Sequence, residues 1–240
     1  MSCPFDYYLR KVLGFSPTIK SEFGYGLQVH KILKMIHEEY EGDITTLLPT
    51  PAEAEVIAQR SFRLRYARGT VFENLRNFAV GTIVAYVRTK RESFPYIYRA
   101  EVPFEMTIGN AMVSGSIDLI EKIDPATRES LEVEVIDFKT ERDPGDDFNP
   151  RFRDALFQVR LYSIASRDVL GLHSRGARIY YLQDGSERRA DVSVHNLGIV
   201  ERSIEQNVNR ILERNFARTP TPDKCRNCDS RLLCPQTPGR

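Results

Sequence analysis

The sequence predicts an α/β (α+β) fold in which a central mixed sheet is flanked by helices. Apolar residues repeat with a helical period before residue 92 and alternate with a period of two between residues 97 and 139. The helical period returns on both sides of a later hairpin. A chain of 240 residues, 41% of them hydrophobic, can bury these elements in one shared core. We therefore expect a single domain over residues 1–240.

The first part of the chain is predicted to be helical. A short N-terminal helix precedes a helix over residues 25–40, in which Leu27, Leu33 and Ile36 keep the helical period. The chain breaks at Pro49-Thr50-Pro51, and helices over 53–68 and 71–91 then form a helical insertion at about 49–91. The second of these has an apolar side, made of Phe72, Leu75, Phe78, Ala79, Ile83 and Tyr86.

The strands and the last two helices follow. Strands over 97–106, 111–121 and 131–139 are separated by turns at Asn110 and at Asp124-Pro125. A helix over 154–170 ends at Gly171, and a hairpin of residues 177–183 and 189–195 surrounds Asp184-Gly185. A helix over 197–216 leads into a C-terminal loop rich in proline and cysteine.

The charge balance limits how the protein can contact DNA. Lys and Arg number 34 and Asp and Glu 33, for a net charge of +1, whereas a protein that coats DNA by charge alone is far more basic. DNA contact therefore requires local basic clusters, and the alternative for each cluster is a solvated helix face. The two clusters are Arg60, Arg63, Arg65 and Arg68, and Arg151, Arg153, Arg160 and Arg167.

Three absences in the sequence narrow its location and function. No apolar run approaches 18 residues, which argues against a membrane span. The N-terminus has an acid and aromatic residues where a signal peptide has a basic start and an apolar run, so we expect a cytoplasmic protein with reduced thiols. The phosphate-binding pattern G-x-x-x-x-G-K-[ST] does not occur, so any ATP-driven motor lies elsewhere.

The strand predicted over 131–139 carries the most informative pattern. Side chains alternate along a strand, so the apolar stripe of Val133 and Val135 continues into Asp137 and Lys139 on the same face. The preceding strand places Asp118 within another apolar stretch. Buried charges are costly unless they are paired, so core faces rarely end in this way by accident. If the two strands pair, both carboxylates converge at one end of the sheet.

Two converging carboxylates repel one another, and a hard divalent cation relieves that repulsion. Few oxygen ligands completed by water suit Mg²⁺ or Mn²⁺. Such an ion lowers the pKa of a bound water and stabilises charge on a phosphate, and Lys139 would polarise the water or offset that charge. For the D-x-K pattern by itself, a structural Asp–Lys pair at a strand end is the competing interpretation.

The two strands contain the motifs Gly115-Ser-Ile-Asp118, of the form G-x-x-D, and Ile136-Asp137-Phe138-Lys139-Thr140, of the form hydrophobic-D-x-K-T. These motifs resemble those of the PD-(D/E)XK nucleases, in particular their RecB-like branch. Two flanking motifs of that branch occur in the expected order. They are Gly24-Tyr-Gly-Leu-Gln-Val-His30, which resembles a helix supplying a histidine ligand, and Gln158-Val-Arg-Leu-Tyr162, which resembles Q-x-x-x-Y.

This resemblance implies a restriction-endonuclease-like core that hydrolyses phosphodiester bonds. Its metal ligands would be His30, Asp118, Asp137 and the backbone carbonyl of Phe138, and Lys139 would assist the attacking water. Gln158 and Tyr162, one helical turn apart, would line the active site. His30 is expected to point inward, on a helix face with Leu27 and Leu33. His37 is a weaker candidate, because Glu38 and Glu39 indicate that its helix is becoming exposed.

All four cysteines fall into one pattern: Cys3, then Cys225-x₂-Cys228-x₅-Cys234. This spacing is compatible with zinc or with an iron–sulfur cluster, and disulfides are the poorer interpretation in a reducing compartment. The layout resembles the iron–sulfur nucleases, and the segment from Cys3 to Arg10 is most similar to the AddB-type and UvrD-like helicase-fused members. The resemblance implies a structural [4Fe–4S] cluster that joins residue 3 to residues 225–234.

The sequence therefore predicts a metal-dependent deoxyribonuclease. The resemblance implies an exonuclease on single-stranded or unwound DNA in recombination or repair, working with a helicase motor in the same or another polypeptide. A non-catalytic DNA-binding scaffold of a helicase complex is the alternative function, and the intact Asp118, Asp137 and Lys139 favour the enzyme. A third possibility is a zinc-stapled protein-interaction domain.

Overall fold

The computed structural model describes residues 3–16, 23–41, 48–124, 131–226 and 228–234. At its centre, five strands pair in the order of the sequence: β1 (Ile97–Ile108), β2 (Ala111–Lys122), β3 (Glu132–Lys139), β4 (His173–Tyr181) and β5 (Ser186–Ala190). β3 and β4 are parallel, and the other three pairs are antiparallel. The mixed sheet flanked by helices that the sequence predicts is confirmed.

Seven α-helices lie within the described ranges. They are α1 (Pro4–Tyr7), which continues as a π-helical turn over Tyr8–Val12, α2 (Tyr25–Glu38), α3 (Pro51–Ser61), α4 (Gly69–Lys90), α5 (Pro150–Asp168), α6 (Val194–Leu212) and α7 (Pro222–Arg226). A 3₁₀ turn over Arg91–Tyr96 joins α4 to β1. Parallel strands need a crossover connection, and α5 supplies it between β3 and β4.

The core has one half on each face of the sheet. On one face, α2, α3 and α4 pack against Leu119, Ile136 and Phe138. On the other face, α5 and α6 pack against Ile120, Val135 and their neighbours. Both faces are buried at the middle of the sheet, where the adjacent residues Leu119 and Ile120, and likewise Val135 and Ile136, enter opposite halves of the core. This burial also fixes register, because a slip of one residue in β3 would exchange its two faces.

Several element boundaries differ from those predicted. Helix α3 ends at Ser61 rather than residue 68, because the backbone turns extended at Phe62. Helix α5 begins at Pro150, where the Asn149 side chain accepts a hydrogen bond from Arg151 N–H. Strand β4 begins four residues earlier than predicted, and α6 covers 194–212 instead of 197–216.

The two hairpin turns explain the remaining boundaries. The pairing of Ile108 with Ala111 confirms the turn at Asn110 and leaves only two residues between β1 and β2. Gly185 N–H donates to Tyr181 O, so β5 starts directly after the turn, at Ser186 rather than residue 189. Pro125, part of the other predicted turn, lies outside the described residues.

None of the helices in the described part of the chain is long and apolar enough to span a membrane.

The inner face of α2 is not the one expected from the sequence. Leu27 is 72% exposed, whereas Val29, Ile32, Leu33 and Ile36 are buried. The prediction that His37 lies where the helix becomes exposed is also wrong, because His37 is 1% exposed. Its ring packs among Tyr86, Phe94 and Phe138, and its Nε2 lies 2.9 Å from Tyr86 Oη. Glu38 and Glu39 follow it on the other side of the helix.

Burial lowers the pKa of His37 to about 3, so the imidazole is neutral in the folded protein. The unfolded chain has a histidine pKa near 6.5, so it binds the proton more readily. We therefore expect stability to fall between pH 6.5 and about 3, by about 1.4 kcal/mol per pH unit from this group. Urea unfolding at pH 7, 6, 5 and 4 should show a weaker acid loss in His37→Gln than in wild type. Identical pH slopes would contradict the assignment, and the exposed His195→Gln is the matched control.

Candidate active site

Strands β2 and β3 bring the two predicted carboxylates together. Leu119 pairs with Ile136, which puts Asp118 beside Asp137 and Phe138 on the neighbouring strand. Both acids share the alternation of Ile120 and Val135, which pack toward α5. They therefore lie on the same face of the sheet.

Hydrogen bonds from two elements hold Asp118 in place. The carboxylate is 6% exposed, and its Oδ2 accepts a 2.7 Å hydrogen bond from the backbone N–H of Phe138. Its Oδ1 accepts a 3.3 Å hydrogen bond from the Tyr162 hydroxyl on α5. Burial, together with the charges of Asp118 and Asp137, raises the pKa of Tyr162, so this hydroxyl stays protonated and remains a donor.

Asp137 is buried more deeply and is poorly satisfied. It is 0% exposed, and within the described ranges neither carboxylate oxygen receives an aligned hydrogen bond. Lys139 Nζ lies 2.7 Å from Oδ2 as an ion pair without hydrogen-bond alignment. Burial and the charge of Asp118 raise the pKa of Asp137 to about 7, although Lys139 opposes the shift. Buried polar atoms without hydrogen-bond partners are rare. A bound cation would stabilise a buried carboxylate that lacks such partners.

A chain of hydrogen bonds links the two acids through α5. Lys139 Nζ donates to Gln158 Oε1 at 2.8 Å, and Gln158 Nε2 donates to the Tyr162 hydroxyl at 2.6 Å. Because an ammonium group can only donate, it fixes the orientation of the Gln158 amide. Tyr162 then donates to Asp118, so the chain runs from Asp137 through Lys139 and back to Asp118. The structure therefore brings all five of these sequence-predicted residues together.

His30 joins this group from α2, which packs on the face of the sheet opposite to α5. Its Nδ1 lies 3.4 Å from Glu101 Oε1 and 3.6 Å from Asp118 Oδ2. Its Nε2 lies 3.1 Å from the Phe138 carbonyl oxygen, to which it donates. Burial by itself lowers the pKa of His30, but hydrogen bonds to Asp118 and Glu101 outweigh it and raise the pKa to about 10. A metal ion at Nδ1 would have to displace that proton.

Glu101 is a site residue that the sequence analysis missed. Its Oε2 accepts a hydrogen bond from the Ser116 hydroxyl at 3.0 Å, and although burial opposes the shift, His30 and Ser116 lower the pKa of Glu101. It occupies a polar position of an alternating strand, like Arg99 and Glu105, so the pattern alone does not distinguish it. Its φ of 49° lies in the left-handed region, which non-glycine residues rarely adopt. Such strain often accompanies a functional site.

The glycine of the G-x-x-D motif has a packing role in this site. A Cβ atom added at Gly115 would lie 2.8 Å from Phe104 Cζ, so a side chain there would displace the Phe104 ring. Phe104 in turn contacts Tyr162 edge-on, with ring centroids 6.1 Å apart. Gly115 therefore lets Phe104 support the tyrosine that holds Asp118.

The donor atoms fit a hard divalent cation. The ligand atoms of His30, Glu101 and Asp118 all lie within 4.8 Å of one another. Neighbouring ligands of an octahedral Mg²⁺ lie about 3 Å apart and opposite ligands about 4.2 Å, from bonds of about 2.1 Å. The carbonyl of Phe138, also a predicted ligand, accepts from the second nitrogen of His30, an arrangement that often orients a histidine ligand. These groups open into a cleft of about 500 Å³ that Gln158 and Tyr162 also line.

The four cysteines meet at the junction of the chain's two ends. Within the described residues none of the four forms a disulfide, and all four line one cavity between α1 and the C-terminal segment. Asp6 on α1 accepts a 2.7 Å hydrogen bond from Ser230 and lies 3.8 Å from Cys228 Sγ. Backbone N–H groups, of which that of Thr219 contributes most, lower the pKa of Cys3 against the effect of burial. In the described residues no three cysteine sulfurs all lie within 4.8 Å of one another. The sulfurs of a tetrahedral zinc site are closer together, at roughly 3.8 Å.

Comparisons with known proteins agree with this fold and site. The family model of the PD-(D/E)XK nuclease superfamily matches residues 1–235, and the chain belongs to that superfamily. It is 26% identical over 186 residues to the Gene 69 protein of Mycobacterium phage D29, covering 74% of this chain and 61% of the phage protein. This chain therefore matches about three fifths of that relative's length.

A solved structure shows the same fold. It is the crystal structure of a protein from Eubacterium rectale described as a candidate exonuclease, with a TM-score of 0.53 and 15% identity. The match covers 96% of this chain and 80% of that one. The restriction-endonuclease-like core expected from the strand motifs is thus confirmed, and the chain is a nuclease-superfamily domain.

Proposed function

We propose that this nuclease is a Mg²⁺- or Mn²⁺-dependent deoxyribonuclease of the RecB-like branch. The observation that carries the proposal is the buried Asp137 carboxylate without an aligned donor, on the same sheet face as Asp118. His30 and Glu101 add donors of the right kind within reach of Asp118. A purely structural Asp137–Lys139 pair would not need a histidine and a glutamate grouped around the neighbouring carboxylate of Asp118.

Each side chain then has a definite task. Asp118, Asp137, His30 and Glu101 would hold the ion, which supplies an activated water and stabilises charge on the scissile phosphate. Lys139 is held between Asp137 and Gln158, so its ammonium group would orient the water or stabilise the developing phosphate charge. Gln158 and Tyr162 position Lys139 and Asp118 through the hydrogen-bond chain. His30 must give up its proton to bind the ion.

The finer parts of the proposal concern substrate and context. We assign an exonuclease acting on single-stranded or unwound DNA in recombination or repair. The exonuclease description of the Eubacterium rectale protein, which shares the fold, supports the first part. A helicase motor in the same or another polypeptide is part of the proposal, since this chain has no ATP-binding loop of its own.

A [4Fe–4S] cluster in the cysteine-lined cavity completes the proposal. What supports it is that all four cysteines line one cavity, and that their sulfurs, in the described residues, are spaced more widely than a single zinc ion requires. The cluster would fasten α1 to the C-terminal segment, and direct contacts already join the two. Arg10 donates to Asp229 at 2.8 Å, and the Tyr8 and Phe216 rings lie 5.1 Å apart.

Digestion of end-labelled single-stranded DNA with Mg²⁺ or Mn²⁺ tests the proposed function. Wild type should shorten the strand, and Lys139→Ala should do so about a hundredfold more slowly because a charge-stabilising group is lost. The matched control is Lys11→Ala, which removes an exposed amine from the π-helical turn after α1. Equal cutting by wild type and Lys139→Ala would contradict the mechanism. A wild type that binds the strand but cuts with neither metal would support the scaffold alternative.

A further inference from the structure

An exposed aromatic and basic surface lies beside the cleft. We call it the strand patch and define it as Phe23, Leu27, Arg65, Tyr66 and Arg68. Phe23, Leu27 and Tyr66 are 61%, 72% and 44% exposed, which is unusual for three large apolar side chains in one region. The rings of Phe23 and Tyr66 contact each other edge-on at 6.0 Å, and the Arg65 guanidinium lies 5.8 Å from the Tyr66 ring centre.

The local fold explains why these side chains point outward. After α3 the chain leaves the helix and bends at Arg65 and Tyr66, and Phe62, Leu64 and Ala67 enter the core while the residues between them face solvent. Two contacts fasten this segment to the start of α2. Arg63 N–H donates to Gln28 Oε1 at 3.3 Å, and the Phe62 ring lies 5.9 Å from that of Tyr25.

The strand patch is positively charged. No acidic residue occurs between Glu55 and Glu73, whereas Arg60, Arg63, Arg65 and Arg68 all do. The second arginine cluster differs in this respect. There, Arg167 pairs with Asp168 and Glu201, so part of its charge is neutralised. The first cluster therefore combines arginines that have no acidic neighbours in the sequence with aromatic rings that are exposed and in contact with each other.

The patch is continuous with the cleft, because Leu27 belongs to both. Leu27 lines the cleft together with Gly26 and His30 on the same helix, and Phe23 lies just before that helix. A chain that leaves the cleft along the start of α2 therefore meets Phe23 and Tyr66 next. This continuity argues for an occupant that also enters the active site.

We infer that the strand patch binds the single DNA strand next to the bond being cut, with bases stacked on Phe23 and Tyr66 and phosphates paired with Arg65 and Arg68. Aromatic rings interleaved with arginines are the usual platform for single-stranded nucleic acid. In a duplex the base faces are already stacked on one another, so the patch selects an unpaired strand. This inference rests on the proposed nuclease function and specifies how its substrate is held.

Strand binding in EDTA tests the inference, since no metal is present and no cleavage occurs. The probe is a fluorescein-labelled 20-nucleotide oligothymidine, and fluorescence anisotropy gives the Kd. We expect Phe23→Ala and Tyr66→Ala each to weaken binding about tenfold. The double variant Arg65→Gln/Arg68→Gln should also weaken strand binding. Its plot of log K against log salt concentration should be shallower by about 0.7 for each charge removed. All four side chains are exposed, so the variants should fold, and their melting temperatures check this.

Matched controls remove similar groups elsewhere. Tyr96→Ala replaces another exposed aromatic residue, and Arg210→Gln another exposed arginine, and both should bind as wild type does. Variants of the patch that bind the strand with wild-type affinity would overturn the inference. So would variants that lose duplex and single-strand binding equally.

A small diester separates this inference from the proposed function. Bis-p-nitrophenyl phosphate reaches the cleft but not the patch, so patch variants should hydrolyse it with Mn²⁺ at the wild-type rate. A wild type inactive on both the diester and DNA would contradict the nuclease proposal, and the binding comparison in EDTA would still decide the role of the patch. Loss of diester hydrolysis in a folded Tyr66→Ala protein would overturn the inference.

Discussion

Asp137→Asn is expected to reduce DNA cleavage by roughly a thousandfold or more at saturating Mn²⁺. Asparagine has nearly the same shape but cannot supply the negative charge that the proposed ion requires. The same change removes a buried carboxylate that lacks aligned donors, so the metal-free protein should melt at the same temperature or higher. Initial rates on end-labelled DNA and melting curves in EDTA measure both effects.

The combination of these two results distinguishes a metal ligand from a structural acid. A structural Asp–Lys pair predicts that Asp137→Asn melts earlier and loses activity only through unfolding, because Lys139 is left beside a neutral group. Asp154→Asn on the exposed side of α5 is the matched control and should retain both activity and stability. Retained cleavage in Asp137→Asn would exclude this residue from the catalytic centre.

Cys228→Ala is expected to lower stability and activity together. A cross-link between Cys3 and Cys225 closes a loop of more than 200 residues, which the loss of chain entropy in the unfolded state makes worth about 5 kcal/mol. For a chain of this size such a loss corresponds to a fall in melting temperature of about 10 °C or more. Thermal melting, iron content per chain and visible absorption are the measurements.

A control in the same loop separates the proposed cluster from ordinary packing. Leu233 is 52% exposed, so Leu233→Ala should leave iron content and melting temperature close to those of wild type. An unchanged melting temperature in Cys228→Ala would contradict the clamp. Colourless wild-type protein with one zinc per chain would keep the clamp but refute the iron–sulfur assignment.

Strand alternation was enough to predict the centre of the site. Asp137 and Lys139 follow buried valines at a spacing of two, and Asp118 lies on the paired strand, so the period of the sheet sets their common face. Gln158 and Tyr162 were placed by resemblance to a family, and the structure shows why the spacing matters. One helical turn lets the amide of Gln158 bridge Lys139 and Tyr162.

Other features depended on tertiary contacts that no local pattern contains. Glu101 contacts His30 at a point where β1 takes a left-handed φ, which no local pattern around this non-glycine residue predicts. His37 is buried by α4 and β3, which lie far away in sequence, so its acidic neighbours gave the wrong indication. The first arginine cluster was predicted on a helix, but α3 ends at Ser61, so Arg63, Arg65 and Arg68 lie in a non-helical segment after it.

The central claim is that Asp118 and Asp137 bind one divalent ion, and a crystal grown with Mn²⁺ tests it most directly. Anomalous scattering at the manganese edge should give a peak about 2.2 Å from a carboxylate oxygen of each residue and within bonding distance of His30 Nδ1. A peak elsewhere, or a well-ordered crystal in which Mn²⁺ leaves Asp137 without a ligand bond, would contradict the account.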